Sequence, residues 1–358
     1  MPDWFPYTIR YIGDCGISGH GYSMRGMLAA LHEVGVRRDQ IDIMPWPPTM
    51  SLQEDWFFDR FLRSRDDRPS LDDTPRVNLI DTRLPDVHHF WTKGWHNVIV
   101  APWRRVPDGA AAIINRCEEV WATSENVAAA LRDGGVTLPI FIIPRALQPE
   151  LLKTPPKEVA PDIAPELHPY VGPHEFKHTS PVYFYYVGTW DAGKNVETLL
   201  KAFLAVGWGP NDPVELILHS PYNSGGAQQQ IDALLPKQPP VVRLLQKPKS
   251  YGWVCKLHQM NHVLVSAARD ESFPPWEAAA VGNLVVMPTC VDPIPGALTF
   301  NLDDVDDLSR QFKVAFDLIR SGWLGTDWGH AVRKMVSPAA VGELLKQRLT
   351  ALKGELEA

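Results

Sequence analysis

Short apolar, β-branched runs alternate along this chain with stretches whose apolar positions recur every three or four residues. The first pattern predicts buried strands, and the second predicts helices with one face against a sheet. In the first half, strands are expected at Tyr7–Gly13, Ile41–Met44, Val77–Asp81, Val98–Ala101, Glu119–Ala122 and Ile140–Ile143. A helix from about Tyr22 to Val34 would bury Met24, Met27, Leu28 and Leu31. Another, Glu125–Arg132, has Ser124 placed to cap its first turn and Gly134-Gly135 placed to stop it.

From Gln148 to Pro181 the periodicity lapses, and Pro149, Pro155, Pro156, Pro161, Pro165, Pro169, Pro173 and Pro181 mark an ordered connection with surface loops. A second series then begins. Its strands are expected at Val182–Val187, Val214–His219, Val241–Leu245, His262–Ser266 and Leu284–Met287, with helices at about 195–206, 225–235, 250–260 and 275–281. Val305, Leu308, Phe312, Phe316 and Ile319 mark one face of a later helix, and Ser337-Pro338 opens a last one carrying Val341, Leu344, Leu345, Leu349 and Leu352. Two strand–helix series predict an α/β protein with two Rossmann-like, mostly parallel, doubly wound domains. The boundaries that follow are 1–150, a connection at 151–181, 182–335, and a C-terminal helix at 336–358. Ligands of such sheets lie beyond the carboxyl ends of the strands, here the crevice expected between the two halves.

Within this frame, YFYYVGTWDAGKNVETLLKAFLAV at 183–206 carries the clearest chemistry. A strand ends at Gly188, and Lys194 stands at the mouth of a helix whose stripe is Val196, Leu199, Leu200 and Phe203. Unpaired N–H groups and the positive dipole end at such a turn attract an anion, and Lys194 adds a full charge. The competing reading is an ordinary strand–helix unit with a solvated lysine. In the first half, Gly13, Gly16, Gly19 and Gly21 form a glycine-dense loop between strand and helix, which tight turns also require.

Composition narrows the classes. A chain of 358 residues with 45% hydrophobic and 22% charged residues accommodates two medium globular domains. A net charge of −7 disfavours a nonspecific polyanion binder, while leaving room for a local basic groove. Cys15, Cys117, Cys255 and Cys290 are far apart, which fits buried thiols in a reducing compartment rather than a zinc site. The N-terminal MPDWFPYTIRYIGD does not read as a signal peptide, and no apolar run is long enough to span a bilayer. A cytoplasmic protein, or one held peripherally at a membrane, is expected.

DVHHFWTKGWHNVIVAPWRR concentrates aromatic, histidine and arginine side chains around one strand. His88, His89, Trp91, Trp95, His96, Trp103, Arg104 and Arg105 are placed to stack on sugars or bases and to bind hydroxyls or phosphates. Core tryptophans with solvated arginines are the alternative. No metal site is expected from these histidines, and Asp303-Asp304 with Asp306-Asp307 read as the acidic start of a helix.

Three segments together resemble the retaining glycosyltransferases of the GT-B fold, specifically glycosyltransferase family 4, the group related to bacterial mannosyl- and glucosyltransferases. YYVGTWDAGKNVETLLKAF is similar to the family's strand–Gly–x5–Lys–helix, in which the lysine grips the donor diphosphate; Lys194 falls on that position. LVSAARDESFPPWEAAAVGNLVVMP resembles its acidic-pair segment, with Glu277 and Gly282 on the second glutamate and the glycine. VWATSENVAAALRDGGVTLPIFIIP is similar to a stretch of its N-terminal domain.

The resemblance implies a GT-B architecture, with an acceptor-binding first domain, a nucleotide-sugar-binding second domain facing it across a cleft, and a C-terminal helix returning to the first. Donor binding is implied at Gly16, Gly19, Gly188, Thr189, Lys194, Asn195, Arg269, Ser272, Phe273 and Glu277, with Lys194 and Glu271 catalytic. Glu277 would meet the ribose and Glu271 the donor sugar. His88, His89, Trp95, His96, Trp103 and Arg104 would lie on the acceptor side, and base recognition near Gln246–Ser250. No tightly bound cofactor or metal is implied; a UDP- or GDP-linked sugar is the co-substrate.

Two departures matter. Glu271 and Glu277 flank five residues where the family has seven, so either the loop is shortened or Arg269 takes the first acidic position. Thr189 stands where the family often has an arginine, and Arg269 or Arg104 is a candidate replacement. Glycans, lipid-linked sugars, small metabolites, proteins and modified DNA bases all occur as acceptors for this fold. An epimerase of the same fold, a catalytically weak nucleotide-sugar-binding module, and, less well matched, a dinucleotide-dependent oxidoreductase are the alternatives.

Overall fold

The computed structural model describes residues 4–14, 19–46, 76–82, 84–153, 155–156, 181–209, 211–221, 226–235, 240–247, 250–269, 273–323 and 325–358. The chain forms two compact units, residues 1–149 with 334–358, and residues 150–333. Each is built on a six-stranded, wholly parallel sheet.

The first unit contains β1 (Thr8–Gly13), α1 (Gly19–Glu33), β2 (Ile41–Pro45), β3 (Arg76–Asp81), β4 (His96–Ala101), α2 (Ala110–Ile114), β5 (Glu119–Ala122), α3 (Glu125–Asp133) and β6 (Ile140–Ile142). Its strand order is β2-β1-β3-β4-β5-β6. Alternate residues enter cores on opposite faces: Ile9, Leu79 and Val98 on one, Ile12, Ile80 and Ile99 on the other. Burial on both faces is why these strands read as continuous apolar runs. Ser124 caps α3 by accepting from the Val127 N–H, as expected.

After α4 (Pro149–Leu152), the second unit contains β7 (Val182–Val187), α5 (Val196–Ala205), β8 (Val214–His219), α6 (Ala227–Leu234), β9 (Val241–Leu245), α7 (Tyr251–Met260), β10 (Val263–Val265), α8 (Pro274–Ala280), β11 (Leu284–Pro288), β12 (Leu298–Phe300) and α9 (Val305–Arg320). Its order is β12-β11-β10-β7-β8-β9. In both sheets the chain steps outward on one side and then returns to the other side of the first strand. The reversal falls between β1 and β3 in one unit and between β7 and β10 in the other. In doubly wound sheets such reversals are where ligands bind, beyond the strands' carboxyl ends.

The chain ends with α10 (Thr326–Val336) and α11 (Pro338–Glu357). The latter returns to the first unit and buries Val341, Leu345, Leu349 and Leu352 in the core beside α1. Gly342 permits this approach, because a Cβ there would lie 2.7 Å from the Ala30 carbonyl oxygen. Underneath, Arg348 forks onto the buried Glu119 and also onto Glu355. Among the described residues no helix is long and apolar enough to cross a membrane.

Four elements were not expected from the periodicity: α2, α4, β12 and α10. The first three have five residues or fewer, too short for a period to register. Pro149–Leu152 also corrects the reading of the connection, since its proline occupies a first-turn position where no N–H is needed. The cysteine reading needs a correction as well: Cys117 and Cys255 are buried, but Cys290 is exposed, and Cys15 lies outside the described residues.

Candidate functional site

The reversal between β7 and β10 gathers most of the described donor-side residues. At the end of β7 the Gly188 N–H donates to the His219 carbonyl at 3.1 Å. Tyr186 Oη donates to the Thr189 carbonyl at 2.7 Å, and a side chain at 188 would collide with that hydroxyl. Thr189 Oγ1 donates to Asp191, whose carboxylate and carbonyl each accept the Lys194 N–H at 3.1 Å. The loop is thus closed on itself before α5 begins, and it holds Lys194 half-buried at the helix entrance.

Asn195 occupies the N-cap position of α5 in the left-handed region, φ 51° and ψ 38°, and its side chain does not cap the helix. Its Oδ1 accepts from Thr198 Oγ1 at 2.7 Å, and its Nδ2 donates to Asp303 Oδ1 at 2.9 Å. The first turn of α5 therefore has no side-chain cap, which leaves its N–H dipole end available to an anion.

Arg269, four residues beyond β10, joins the same cluster. Its N–H donates to the Gly193 carbonyl at 2.8 Å. Its guanidinium forks onto Asp303, Nη1 to Oδ2 at 2.8 Å and Nη2 to Oδ1 at 2.7 Å. Both side chains are nearly half exposed, so the pair contributes no more than about 1 kcal/mol. Asp303 escaped the sequence reading, which took the acidic run together as a helix start. Asp304 does cap α9, accepting from the Asp307 N–H at 2.8 Å. Asp307 accepts the Asn301 N–H, the main reason its carboxyl is held below the usual range. Asp303 turns instead to Arg269 and Asn195.

Glu277, in the first turn of α8, is only 2% exposed. Tyr251 Oη donates to its Oε1 at 2.7 Å, and His258 Nε2 faces its Oε2 at 3.5 Å. The proton positions follow from the neighbours. The His258 carbonyl can only accept, so it is the Asn283 amide nitrogen that faces it, at 2.7 Å. That nitrogen also donates to Tyr185 Oη at 2.6 Å. Burial pushes the Tyr185 hydroxyl well up, so it keeps its proton and donates to His258 Nδ1 at 2.7 Å. With Nδ1 accepting, we assign the imidazole proton to Nε2, which faces Glu277 at 3.5 Å without closing a hydrogen bond. The Tyr185–His258–Asn283 support had no motif to reveal it, because its members come from a strand, a helix and a turn far apart in sequence.

Other expected residues are placed differently. Gly16, Glu271 and Ser272 lie outside the described residues, and Gly19 begins α1. Phe273 is buried at the N-cap of α8. Gln246 is exposed, and Ser250 caps α7 through the Trp253 N–H.

In the first unit the aromatic and basic cluster is divided by β4. Trp95 and His96 are at its amino end, and Trp103, Arg104 and Arg105 follow its carboxyl end, roughly 20 Å further along six residues of strand. His96 Nε2 faces buried Glu119 at 3.4 Å, and Arg10 lies over the Trp95 ring at 4.5 Å. His88 and His89 form an exposed pair with ring centroids 3.8 Å apart and planes inclined by 39°. His89 neighbours Trp46, which follows β2, so this pair and Trp103 belong to the carboxyl-end side while Trp95 and His96 do not. Among the described residues no cluster of three His, Cys, Asp or Glu could hold a metal ion.

No known family model matches the chain, and no curated protein matches it in sequence. Its fold is similar to that of solved glycosyltransferases. An apo structure of OtsA superposes with a TM-score of 0.69 at 13% identity, covering 96% of this chain and 99% of that one. A glycosyltransferase from Rickettsia africae gives 0.65 at 12%, with 96% and 98% covered. The E. coli trehalose-6-phosphate enzyme bound with UDP-2-fluoro glucose gives 0.62 at 13%, with 78% and 74% covered. The likeness is one of fold, two parallel sheets of the GT-B kind.

Proposed function

We propose that this chain transfers a sugar from a nucleotide-diphospho-sugar, UDP- or GDP-linked, to a hydroxyl acceptor with retention of anomeric configuration, in the manner of glycosyltransferase family 4. The observation that carries this reading is the placement of Lys194 and the uncapped start of α5 at the reversal between β7 and β10. Departure of a nucleoside diphosphate builds negative charge on the leaving oxygens, and fixed donors and cations beside them lower that barrier. Lys194 would supply the cation, and the first-turn N–H groups of α5 the preorganised donors.

Thr189 supplies no charge, and the Arg269 guanidinium is matched by Asp303, so Lys194 carries the principal role in this mechanism. A carboxylate offers about four lone-pair sites; Tyr251 occupies one at Glu277 and His258 approaches another at 3.5 Å, which leaves room for a ribose diol. Contact with ribose requires the carboxylate to become accessible from its 2% exposure. Glu271 would meet the donor sugar, the donor phosphate would help deprotonate the acceptor, and no separate nucleophile or metal enters. Incubation with UDP- and GDP-sugars tests the reading. Slow donor hydrolysis that is abolished in Lys194→Ala is expected; tight nucleotide binding with no turnover of any sugar nucleotide would instead identify a binding module.

A further inference from the structure

The reversal between β1 and β3 in the first unit has its own unsatisfied chemistry. Gly13 and Asp81, the last residues of these strands, are register partners. The chain segment following β6 runs back from the sheet's far edge to this point. The Ile143 N–H donates to the Ala122 carbonyl, a Cβ on Gly26 of α1 would collide with the Ala146 carbonyl, and Gln148 Nε2 donates to the Tyr22 carbonyl at 3.2 Å. Arg145 is therefore fixed from both sides by backbone packing.

Arg145 is only 8% exposed, and its Nε and Nη2 are buried without a hydrogen-bond partner. A buried guanidinium in that state is costly and calls for an acceptor. Asp81, 4% exposed, accepts from Tyr11 Oη at 3.0 Å. Burial pushes its carboxyl up, and Arg145 and Tyr11 only partly counter this. Arg145 is thus close enough to act on Asp81, yet among the described residues no hydrogen bond or ion pair joins them. A donor-only group with unmet N–H groups and a buried carboxylate thus lie within electrostatic range of each other without being joined.

We propose that the crevice at the ends of β1 and β3 binds a hydroxylated organic anion, its phosphate or carboxylate on Arg145 and one of its hydroxyls on Asp81. Asp14, which adds negative charge near Asp81, disfavours a bare anion with no hydroxyl to offer. In the proposed reaction this molecule is the acceptor, an assignment that rests on the transferase reading; the binding itself does not.

Calorimetry on the full chain, with a hexose phosphate, glucuronate, the free hexose and inorganic phosphate, tests the site. The hexose phosphate or glucuronate should bind more tightly than the free hexose or inorganic phosphate. Arg145→Met should weaken that binding by about tenfold or more, and Arg145→Lys by less, because it keeps the charge but not the fork. Asp81→Asn should weaken the hydroxylated anion several-fold relative to inorganic phosphate. Thermal melts guard against misfolding: Arg145→Met should still unfold in one cooperative transition above the temperature of the titrations, and Arg145→Lys, which keeps a charge beside Asp81, provides the second variant if it does not. Absence of binding by both hydroxylated anions, or equal binding by Arg145→Met, overturns the proposal. UDP titration of the same samples separates the two readings. Anion binding through Arg145 without any nucleotide binding refutes the transferase and keeps this site, whereas Lys194-dependent nucleotide binding with no anion effect does the reverse.

Discussion

Asn195 and Asp303, the two non-glycine residues with positive φ among those described, are hydrogen-bonded to each other, Nδ2 to Oδ1 at 2.9 Å. Each accepts a backbone conformation that side chains disfavour, in a loop at the mouth of the candidate diphosphate site. The bond ties the entrance of α5 to the turn before α9, and Arg269 fastens onto the same carboxylate.

Removing only the charge at this junction is informative. Asp303→Asn keeps a residue that tolerates the left-handed region and frees the Arg269 guanidinium. Calorimetry should show UDP or GDP binding about fivefold more tightly at low salt, equivalent to ~1 kcal/mol of relieved repulsion and released charge. The gain should shrink as salt is raised. Asn195→Ala, by contrast, should cost about 1–2 kcal/mol of stability in denaturant titration, from left-handed strain and two lost side-chain bonds.

The Arg348–Glu119 pair makes α11 an integral part of the first unit. Both side chains are nearly buried, so Arg348→Ala should destabilise by ~3–5 kcal/mol by leaving a carboxylate uncompensated. Urea unfolding measures this directly.

That pair also fixes the sign of an acid effect. Burial works to raise the Glu119 carboxyl, but the bonds from His96 and Arg348 outweigh it and the net shift is downward. A lowered native value means that this stabilisation is complete above the unfolded carboxylate value, near 4.5, and is lost as pH falls through the native one. Glu355 is lowered too, chiefly by its bonds to Arg348. Stability should therefore fall from pH 5 toward pH 2.5, roughly the range over which such carboxylates protonate. Glu119→Gln, though less stable at pH 7, should lose less over this interval.

His258 provides a spectroscopic check on the support of Glu277. Long-range proton–nitrogen NMR should find its proton on Nε2. Tyr185→Phe should release that preference and cost ~1–3 kcal/mol, because His258 Nδ1 loses a buried donor. An Nδ1–H tautomer in the parent protein would contradict the assigned chain of donors.

Much of the fold was legible because both faces of each sheet are covered. Runs such as VYFYYV at 182–187 and VELILH at 214–219 stay apolar or shielded throughout, and the expected limits of β5, β7, β8 and β9 coincide with those observed. Short elements were lost because AAAII in α2 and LTF in β12 cannot establish a period. At the candidate site, Gly188, Lys194 and Arg269 belong to segments with recognisable order. Asp303 does not, since its partner Arg269 is 34 positions away and its acidic neighbours serve a helix cap instead. The expectation for His96 placed the loops on both flanks of a strand on one side: reading a cluster along the chain cannot show which end of β4 each member occupies.

A crystal of the protein soaked with a UDP- or GDP-sugar tests the central claim most directly. The account predicts pyrophosphate density within hydrogen-bonding distance of Lys194 Nζ and the first-turn N–H groups of α5. Nucleotide density elsewhere, away from the ends of β7 and β10, would contradict it.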